Sequence, residues 1–470
     1  MSQARLRFHG AAREVTGSMH LLEINGYTLA LDCGLFQGKR ALANEKNRAR
    51  PYDSRDIDAV VLSHAHIDHC GKLPLLVRQG FKGRIHCTPP TRALAAIMLA
   101  DSAHVQKEDA EYWNKKRVRR GDPPIDPLYT DADVAAATGR FVSHGLDETF
   151  EVVPGARARF HEAGHMLGSA GVRLELDAGG PRPTRLTFTG DLGRSGIPIL
   201  RDPAPLPECD YLISESTYGG RVTPDPVDLP GQFAEVINET AARGGKLIIP
   251  SFAVGRSQAV VYYYHLLLEA GRIRRPIPMV VDSPLASAAT QVYRNSTDVF
   301  DHEAEALIDK VGALFDFQSV RHIEDVEDSK RLHEEAGPMI IVSASGMCEA
   351  GRILHHLKNN IEDPRNTVLI VGYQAADTLG RRLVEKARQV KIFGETYSVR
   401  AQVKVLNGFS SHANAKELRA ALRPLAKTCR HAFLVHGEPD QSEVLAAAMR
   451  QDGFREVTAP APGEVFELSA

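Results

Sequence analysis

The sequence predicts an α/β protein built from more than one domain. Three observations carry that expectation. The chain has 470 residues, room for about three domains at roughly 150 residues each. Its first part is rich in short runs that alternate apolar and polar residues, the pattern of half-buried strands. From Gly244 onward, short apolar runs alternate with helical stretches, which is the rhythm of a parallel sheet covered on both faces.

The elements follow in order. Leu6–Gly10, Ser18–Ile24 and Thr28–Cys33 read as strands, with Asn25 and Gly26 turning the chain between the last two. Asp58–Ser63 (DAVVLS) reads as a buried strand, and Leu73–Gln79 and Thr91–Ala110 read as helices. Gly171–Leu176 and Arg185–Thr189 return to strand. In the second half, Lys246–Phe252, Ile277–Asp282, Pro338–Ser343 and Thr367–Gly372 are the apolar runs. Arg256–Ala270, Leu285–Arg294 and Arg352–Ile361 are helices among them. After Arg400 come a strand at Gln402–Leu406, a helix from Ala415, a strand at Ala432–Val435, a helix from Gln441 and a final strand.

Composition excludes several classes. With 57 Lys and Arg against 59 Asp and Glu, the net charge is −2. A chain that coats nucleic acid by its overall charge is thus excluded, while a local basic groove is not. Apolar residues make up 43% and charged residues 25%, as in a folded globular protein rather than a disordered one. No apolar run is long enough to span a membrane, so no membrane partner is expected. Met1–Gly10 lacks the apolar core of a secretory signal. The 6 Cys are scattered without a C-x-x-C pair, which fits a reducing compartment, the cytoplasm.

The chemistry concentrates where the strand DAVVL ends. Residues 63–69 read Ser-His-Ala-His-Ile-Asp-His, so His64, His66, Asp68 and His69 place three imidazoles and a carboxylate in six positions. That donor mix suits Zn²⁺ or a similar first-row ion. Two more segments look like donors: FHEAGHMLG, with His161 and His165, and LTFTGDLG, where Asp191 leaves a strand through Gly190. Taken alone, a Gly-Asp after a strand is an ordinary turn, and His161 alone is an ordinary surface or core histidine. Beside the first cluster, both gain weight as ligand sources.

These motifs resemble the metallo-β-lactamase fold, an αββα sandwich with a dinuclear metal site at its edge. GAAREVTGS (Gly10–Ser18) and LDCGLFQG (Leu31–Gly38) resemble it too. Glu215 in SESTYG, PSFAVGRSQ, DSPLA, SASGMCEAGR, GFSSHAN and VHGE further resemble the β-CASP branch, nucleases of RNA and DNA that include the cleavage subunit of the polyadenylation factor. The resemblance spans almost the whole chain. It implies a lactamase domain in two parts, 1–217 and 405–470, interrupted by a Rossmann-like parallel α/β insertion, 218–404. It implies one metal held by His64, His66 and His165, and another by Asp68, His69 and His436. Asp191 would bridge them, and Glu215 would orient His412 as general acid. Where the family usually shows Ser-Ala-His-Ala-Asp, this chain has Ser-Ser-His-Ala-Asn, so Asn414 removes a charge near His412.

The insertion carries its own phosphate pattern. Ligands in open α/β sheets bind at the carboxyl ends of strands, and helix N-termini favour anions. Ser343, Ser345 and Gly346 lie in such a strand tail, and Arg256 and Arg352 stand at helix starts, where a purely structural helix favours acids. These five are candidate RNA-phosphate contacts, although an Arg there can also simply tether two loops. Lys115–Arg120 (KKRVRR), near Trp113, reads as a solvated helix face or as a grip on RNA.

The expected activity is a metal-dependent ribonuclease with two Zn²⁺ ions, or Mn²⁺, cutting single-stranded RNA internally and leaving 5′-phosphate and 3′-hydroxyl ends. Asp68, Glu215 and His412 are its candidate catalytic residues. His436 favours RNA over DNA by the resemblance, and the opening motif favours internal cleavage. The rivals are a 5′-to-3′ exoribonuclease of the same branch, a small-molecule metallo-hydrolase, and a scaffold without activity. The oligomeric state is open, a homodimer included.

Overall fold

The computed structural model describes residues 4–222, 228–372, 374–375 and 378–469. The chain divides into two compact units. The first comprises Met1–Gly196, Arg201–Val222 and His412–Ala470, and the second comprises Ile197–Leu200 and Thr223–Ser411.

The first unit is a sandwich of two seven-stranded sheets. One runs in the order Val465–Leu468, Ala4–Gly10, Met19–Ile24, Tyr27–Leu31, Ala59–Val61, Arg84–Cys87 and Phe141–Ser143. The other runs Glu456–Thr458, His431–Val435, Tyr211–Glu215, Thr184–Phe188, Ala170–Leu176, Ala156–Glu162 and Thr149–Val153. Alternation along each strand decides what it buries. Leu6, Phe8, Leu22 and Leu31 share one buried cluster with Phe160, Val172, Phe188, Ile213 and Phe433. The neighbours Leu212 and Leu434 point the other way, into a second cluster with Leu418, Leu422, Leu445 and Met449. That cluster seats the helices Ala415–Leu422 and Pro439–Gln451 on the outer face of the second sheet. Leu73–Arg78, Pro89–Val118 and Asp131–Thr138 pack together, the long helix also against Phe141–Ser143.

The long helix exceeds its sequence expectation at both ends. Thr88 caps it, its hydroxyl accepting the Thr91 N–H at 3.3 Å, and two prolines fill the first turn. Lys115, Lys116 and Arg117 occupy the last turn, where cations complement the helix dipole. The basic run therefore has a local reason to exist. Trp113 is half-buried, with Arg40 and Lys116 standing 5.0 and 5.1 Å from its ring centre.

The second unit holds a six-stranded sheet in the order Val320–Ile323, Met279–Asp282, Ile340–Ser343, Leu247–Pro250, Thr367–Ile370 and Gln402–Val405. Every neighbouring pair is parallel. Its four central strands are wholly buried, which is why they read as unbroken apolar runs. Gln402–Val405, the edge strand, joins this sheet beside Thr367–Ile370, and the chain stays with this unit through Ser411 rather than leaving it at 404. The hairpin Gln389–Ile392 with Glu395–Ser398 had no clear signal in the sequence. Among the described residues, no helix is long and apolar enough to cross a membrane.

Candidate metal centre

Parallel strands deliver the site. Thr184–Phe188, Tyr211–Glu215 and His431–Val435 are parallel neighbours, so their carboxyl ends share one sheet edge. Asp191, Glu215 and His436 stand at or just past those ends. In the facing sheet, Tyr27–Leu31 and Ala59–Val61 are also parallel, and Asp32 and Ser63–His69 follow them. His64 and His66 lie two apart in extended chain, and a short helix, Ile67–Cys70, then carries Asp68 and His69. Gly190 makes the turn into Asp191 possible. It has φ +54, and a Cβ there would lie 2.8 Å from the Ser63 side chain. Gly34 lets the chain pass under the ligand helix, where a Cβ would lie 1.6 Å from the Asp68 carbonyl oxygen.

Two donor groups result. His64, His66, His165 and Asp191 offer ligand atoms that all lie within 4.8 Å of one another, and so do Asp68, His69 and His436. In the first, His66 Nδ1 sits 3.1 Å from His64 Nε2 and 3.2 Å from His165 Nε2. In the second, His436 Nε2 sits 3.0 Å from His69 Nε2 and 3.3 Å from Asp68 Oδ2. Asp191 touches both: its Oδ2 is 3.6 Å from His64 and from His165, and its Oδ1 is 3.4 Å from His69.

The backs of the rings are held so that ligand lone pairs face inward. The Asp32 carboxylate can only accept, so His69 Nδ1 donates to it at 2.7 Å and Nε2 is the ring nitrogen turned toward the donor group. Asp32 also receives the Ser63 N–H at 2.8 Å and the Ser63 hydroxyl at 2.9 Å. That hydroxyl in turn accepts from His64 Nδ1 at 3.0 Å. The Thr217 hydroxyl donates to the His436 carbonyl at 2.8 Å and accepts from His436 Nδ1 at 3.0 Å. Sequence reasoning gave no role to Asp32, Ser63 or Thr217. The signals were present: Asp32 in LDCG after a strand, Ser63 just before His64, and Thr217 just after the SES strand end.

The residues fit divalent cations. Asp191 Oδ1 is buried and has no hydrogen-bond partner among the described residues, the condition a cation would relieve. Burial holds the His64 and His165 imidazoles well below their usual range and takes His66 down to about 4. Neutral imidazole is the ligating form. Burial would push the Asp191 carboxyl up, but His436, His69 and His64 outweigh it and hold it well below the ordinary range.

A second pair adjoins the donors. Glu215 is fully buried, and its Oε1 accepts the Leu192 N–H at 2.5 Å. Its Oε2 lies 3.4 Å from His412 Nδ1. The His412 ring lies 4.4 Å from that of His165, centre to centre, tilted 50° to it. Burial pulls the His412 imidazolium down, but Glu215, with Asp191 and Asp68 beyond it, more than offsets this and raises it.

Comparison with known proteins places this arrangement. The metallo-beta-lactamase superfamily model matches residues 12–241, the Beta-Casp domain model 257–383, and the Zn-dependent metallo-hydrolase RNA specificity domain model 396–460. A ribonuclease of Thermus thermophilus is 36% identical over 432 residues, covering 92% of this chain and 93% of that protein. The chain belongs to the β-CASP ribonuclease family of the metallo-β-lactamase superfamily. Within that family, an RNase J-like protein of Methanocaldococcus jannaschii is 30% identical over 443 residues, covering 93% of each chain. The transcription termination factor FttA of the same organism is 29% identical over 459 residues, covering 95% of this chain and 69% of that protein. A crystal structure of a protein of unknown function from Enterococcus faecalis V583 aligns with TM-score 0.55 at 13% identity, covering 99% of this chain and 100% of that one, a likeness of fold alone.

The expected phosphate contacts of this β-CASP chain are placed differently from its candidate metal donors. Arg352 Nη1 donates to the buried Asp282 at 2.7 Å and to the Ile323 carbonyl at 3.3 Å, and Nη2 donates to the Glu324 carbonyl at 2.5 Å. Arg352 is thus the tether between loops, which explains its place at a helix start without a phosphate. Ser343 is buried, with its hydroxyl donating to the Asp282 carbonyl at 2.8 Å. Arg256 Nη1 donates to the Val371 carbonyl at 2.7 Å. The Gly346 carbonyl accepts from Gln374 Nε2 at 2.9 Å. The Ser345 hydroxyl accepts the N–H groups of Glu349 and Ala350 at 3.1 and 3.3 Å, and among the described residues it has no acceptor for its own proton. His161 stands apart from the donors, on Ala156–Glu162, with burial taking it down to about 4.

Proposed function

We propose that the chain hydrolyses phosphodiester bonds of single-stranded RNA, cutting internally and leaving 5′-phosphate and 3′-hydroxyl ends, in RNA processing or decay. The observation that carries this reading is the convergence of seven donor side chains, with Asp191 between the two groups and the Glu215–His412 pair beside them. Relatives named as ribonucleases support it.

His64, His66 and His165 would hold one divalent ion, Asp68, His69 and His436 a second, with Asp191 shared between them and Zn²⁺ the proposed metal. Bound there, such ions supply Lewis acidity, lowering the pKa of water and neutralising phosphate charge. The chain's own groups do the rest. Asp32, Ser63 and Thr217 fix the ring orientations. Glu215 holds His412 Nδ1 protonated, so that Nε2 can give its proton to the departing 3′ oxygen as water adds to phosphorus. Ser345, whose hydroxyl donates to no partner among the described residues, is the remaining candidate for a phosphate contact in the second unit. Six buried free thiols suit a reducing compartment such as the cytoplasm.

The test is RNA labelled at either end, incubated with and without a chelator, with product ends mapped and bound metal measured. Internal products with 5′-phosphates, abolished by chelation and restored by Zn²⁺ or Mn²⁺, are expected, with close to two ions per chain. Mononucleotides released from the 5′ end alone would establish the exonuclease instead. Full activity in metal-free protein would overturn the reading.

A further inference from the structure

Arg194 lies three residues after Asp191 and is 2% exposed. Its Nε stands 3.2 Å from each carboxylate oxygen of Glu417. Nη1 and Nη2 are buried and have no hydrogen-bond partner among the described residues. A buried cation with unsatisfied donors is a costly arrangement. It is too buried to reach RNA, so its charge acts inside the protein.

What it acts on follows from Glu417. Glu417 Oε2 also accepts the Asn414 N–H at 2.8 Å, while Asn414 Oδ1 accepts the N–H groups of Lys416 and Glu417 at 2.9 and 3.3 Å. This is a reciprocal cap at the start of Ala415–Leu422. The cap forms without any help from Arg194, so helix capping does not explain a buried arginine.

Between the cap and Arg194 runs the His412 loop. Gly193 pairs with His412 in an isolated antiparallel bridge, and the Ala413 N–H donates to the Leu192 carbonyl at 2.8 Å. The Leu192 N–H donates to Glu215 Oε1. The segment Asp191–Arg194 thus bears the shared carboxylate at one end and fastens both members of the Glu215–His412 pair along its length. Arg194 closes this clamp at its far end through Glu417.

We propose that Arg194, through Glu417, is a positioning residue for the general acid. It keeps the 412–414 loop in register with Asp191, so that His412 and the metal donors address the same phosphodiester. The inference rests on the reading of His412 as the acid given above. Asn414, which replaces a charged residue of the family pattern, serves here as the helix cap, and the negative charge of this loop is supplied three positions on by Glu417.

The test uses the full chain with Arg194→Met, Glu417→Gln and, alongside, His412→Ala. Each is assayed on ordinary RNA and on RNA carrying sulfur at one bridging 3′ position, a leaving group that needs no proton. Bound metal is measured in every variant. Arg194→Met should lower kcat on ordinary RNA on the order of 10²-fold, the cost of a small misplacement. KM and metal content should be unchanged, and the sulfur substrate should be cleaved at close to the wild-type rate. Glu417→Gln should show the same selective loss. It keeps an acceptor for Asn414 and sits at a partly exposed position, so it tests the link even if Arg194→Met does not fold. Unchanged kcat in Glu417→Gln, equal losses on both substrates, or loss of metal would overturn the proposal. Failure of sulfur to rescue His412→Ala would instead overturn the acid assignment itself.

Discussion

Replacing Asp32 by Asn tests whether the backs of the histidine rings matter as much as their faces. The wild-type carboxylate accepts from His69 Nδ1 at 2.7 Å, from the Ser63 N–H at 2.8 Å, and from the Ser63 and Ser18 hydroxyls at 2.9 and 3.4 Å. Asn keeps the shape but exchanges one acceptor for a donor. If its oxygen stays on Ser63 N–H, its NH₂ faces His69 Nδ1, and the ring must move its proton to Nε2, where the metal should bind. If the amide flips, its NH₂ meets the Ser63 N–H instead. Either way one buried mismatch remains, worth about 1–3 kcal/mol. At about 1.4 kcal/mol per factor of ten, that is roughly a 10–100-fold loss of metal affinity, the range seen when such outer partners are removed. The assay is competition with a chelating indicator, followed by RNA cleavage across a metal titration. Weakened binding, with cleavage recovered at high metal, is expected. Wild-type metal affinity in a folded Asp32→Asn protein would refute the argument and leave Asp32 a packing residue.

Further outcomes can be stated. His412→Ala should slow cleavage by about 10²–10⁴-fold with both metals retained, as metal analysis would show, and sulfur at the bridging 3′ position should restore it. Glu215→Gln should give a smaller loss of the same kind in the same assay. Arg352→Ala should destabilise the protein by about 1.5–3 kcal/mol, because the buried Asp282 loses a charged hydrogen-bond donor and keeps only His356 and Ser329, read as a fall in Tm; the salt dependence of RNA binding should not change. A salt slope reduced by about 0.7 would return Arg352 to phosphate contact. Burial alone would push the Asp282 carboxyl up, but hydrogen bonds from His356, Ser329 and Arg352 outweigh it and hold it below 3.8. That stabilisation is full above the unfolded value and disappears as pH falls through the folded one. Wild-type Tm should therefore drop more steeply than that of Asp282→Asn on acidification below about pH 4, and parallel curves would contradict this.

Chain-local features were legible because covalent spacing enforces them. Four donors in HAHIDH cannot drift apart, and a strand end delivers alternate side chains to one side whatever the rest of the chain does. Unbroken apolar runs such as LIIP and MVVD, set between helical stretches, read as strands buried on both faces, and they form the centre of the parallel sheet. Two further segments offered His165 and Asp191, and the family resemblance supplied His436 and the order of the set. Partner choice across long separations was not legible. Helix-start charge alone suggested a phosphate for Arg352, yet its partner is Asp282, 70 positions earlier in the chain. Asp32 meets His69 across 37 positions and Arg194 meets Glu417 across 223. The physical reason is that a buried charge takes whichever opposite charge the packing of sheets and helices brings within about 3 Å, and no local pattern records which one that is. The sequence by itself determined most of the strands and helices, the donor types and their order. Only the tertiary structure decided which side chain holds the back of each ring and which arginine holds the fold rather than the substrate.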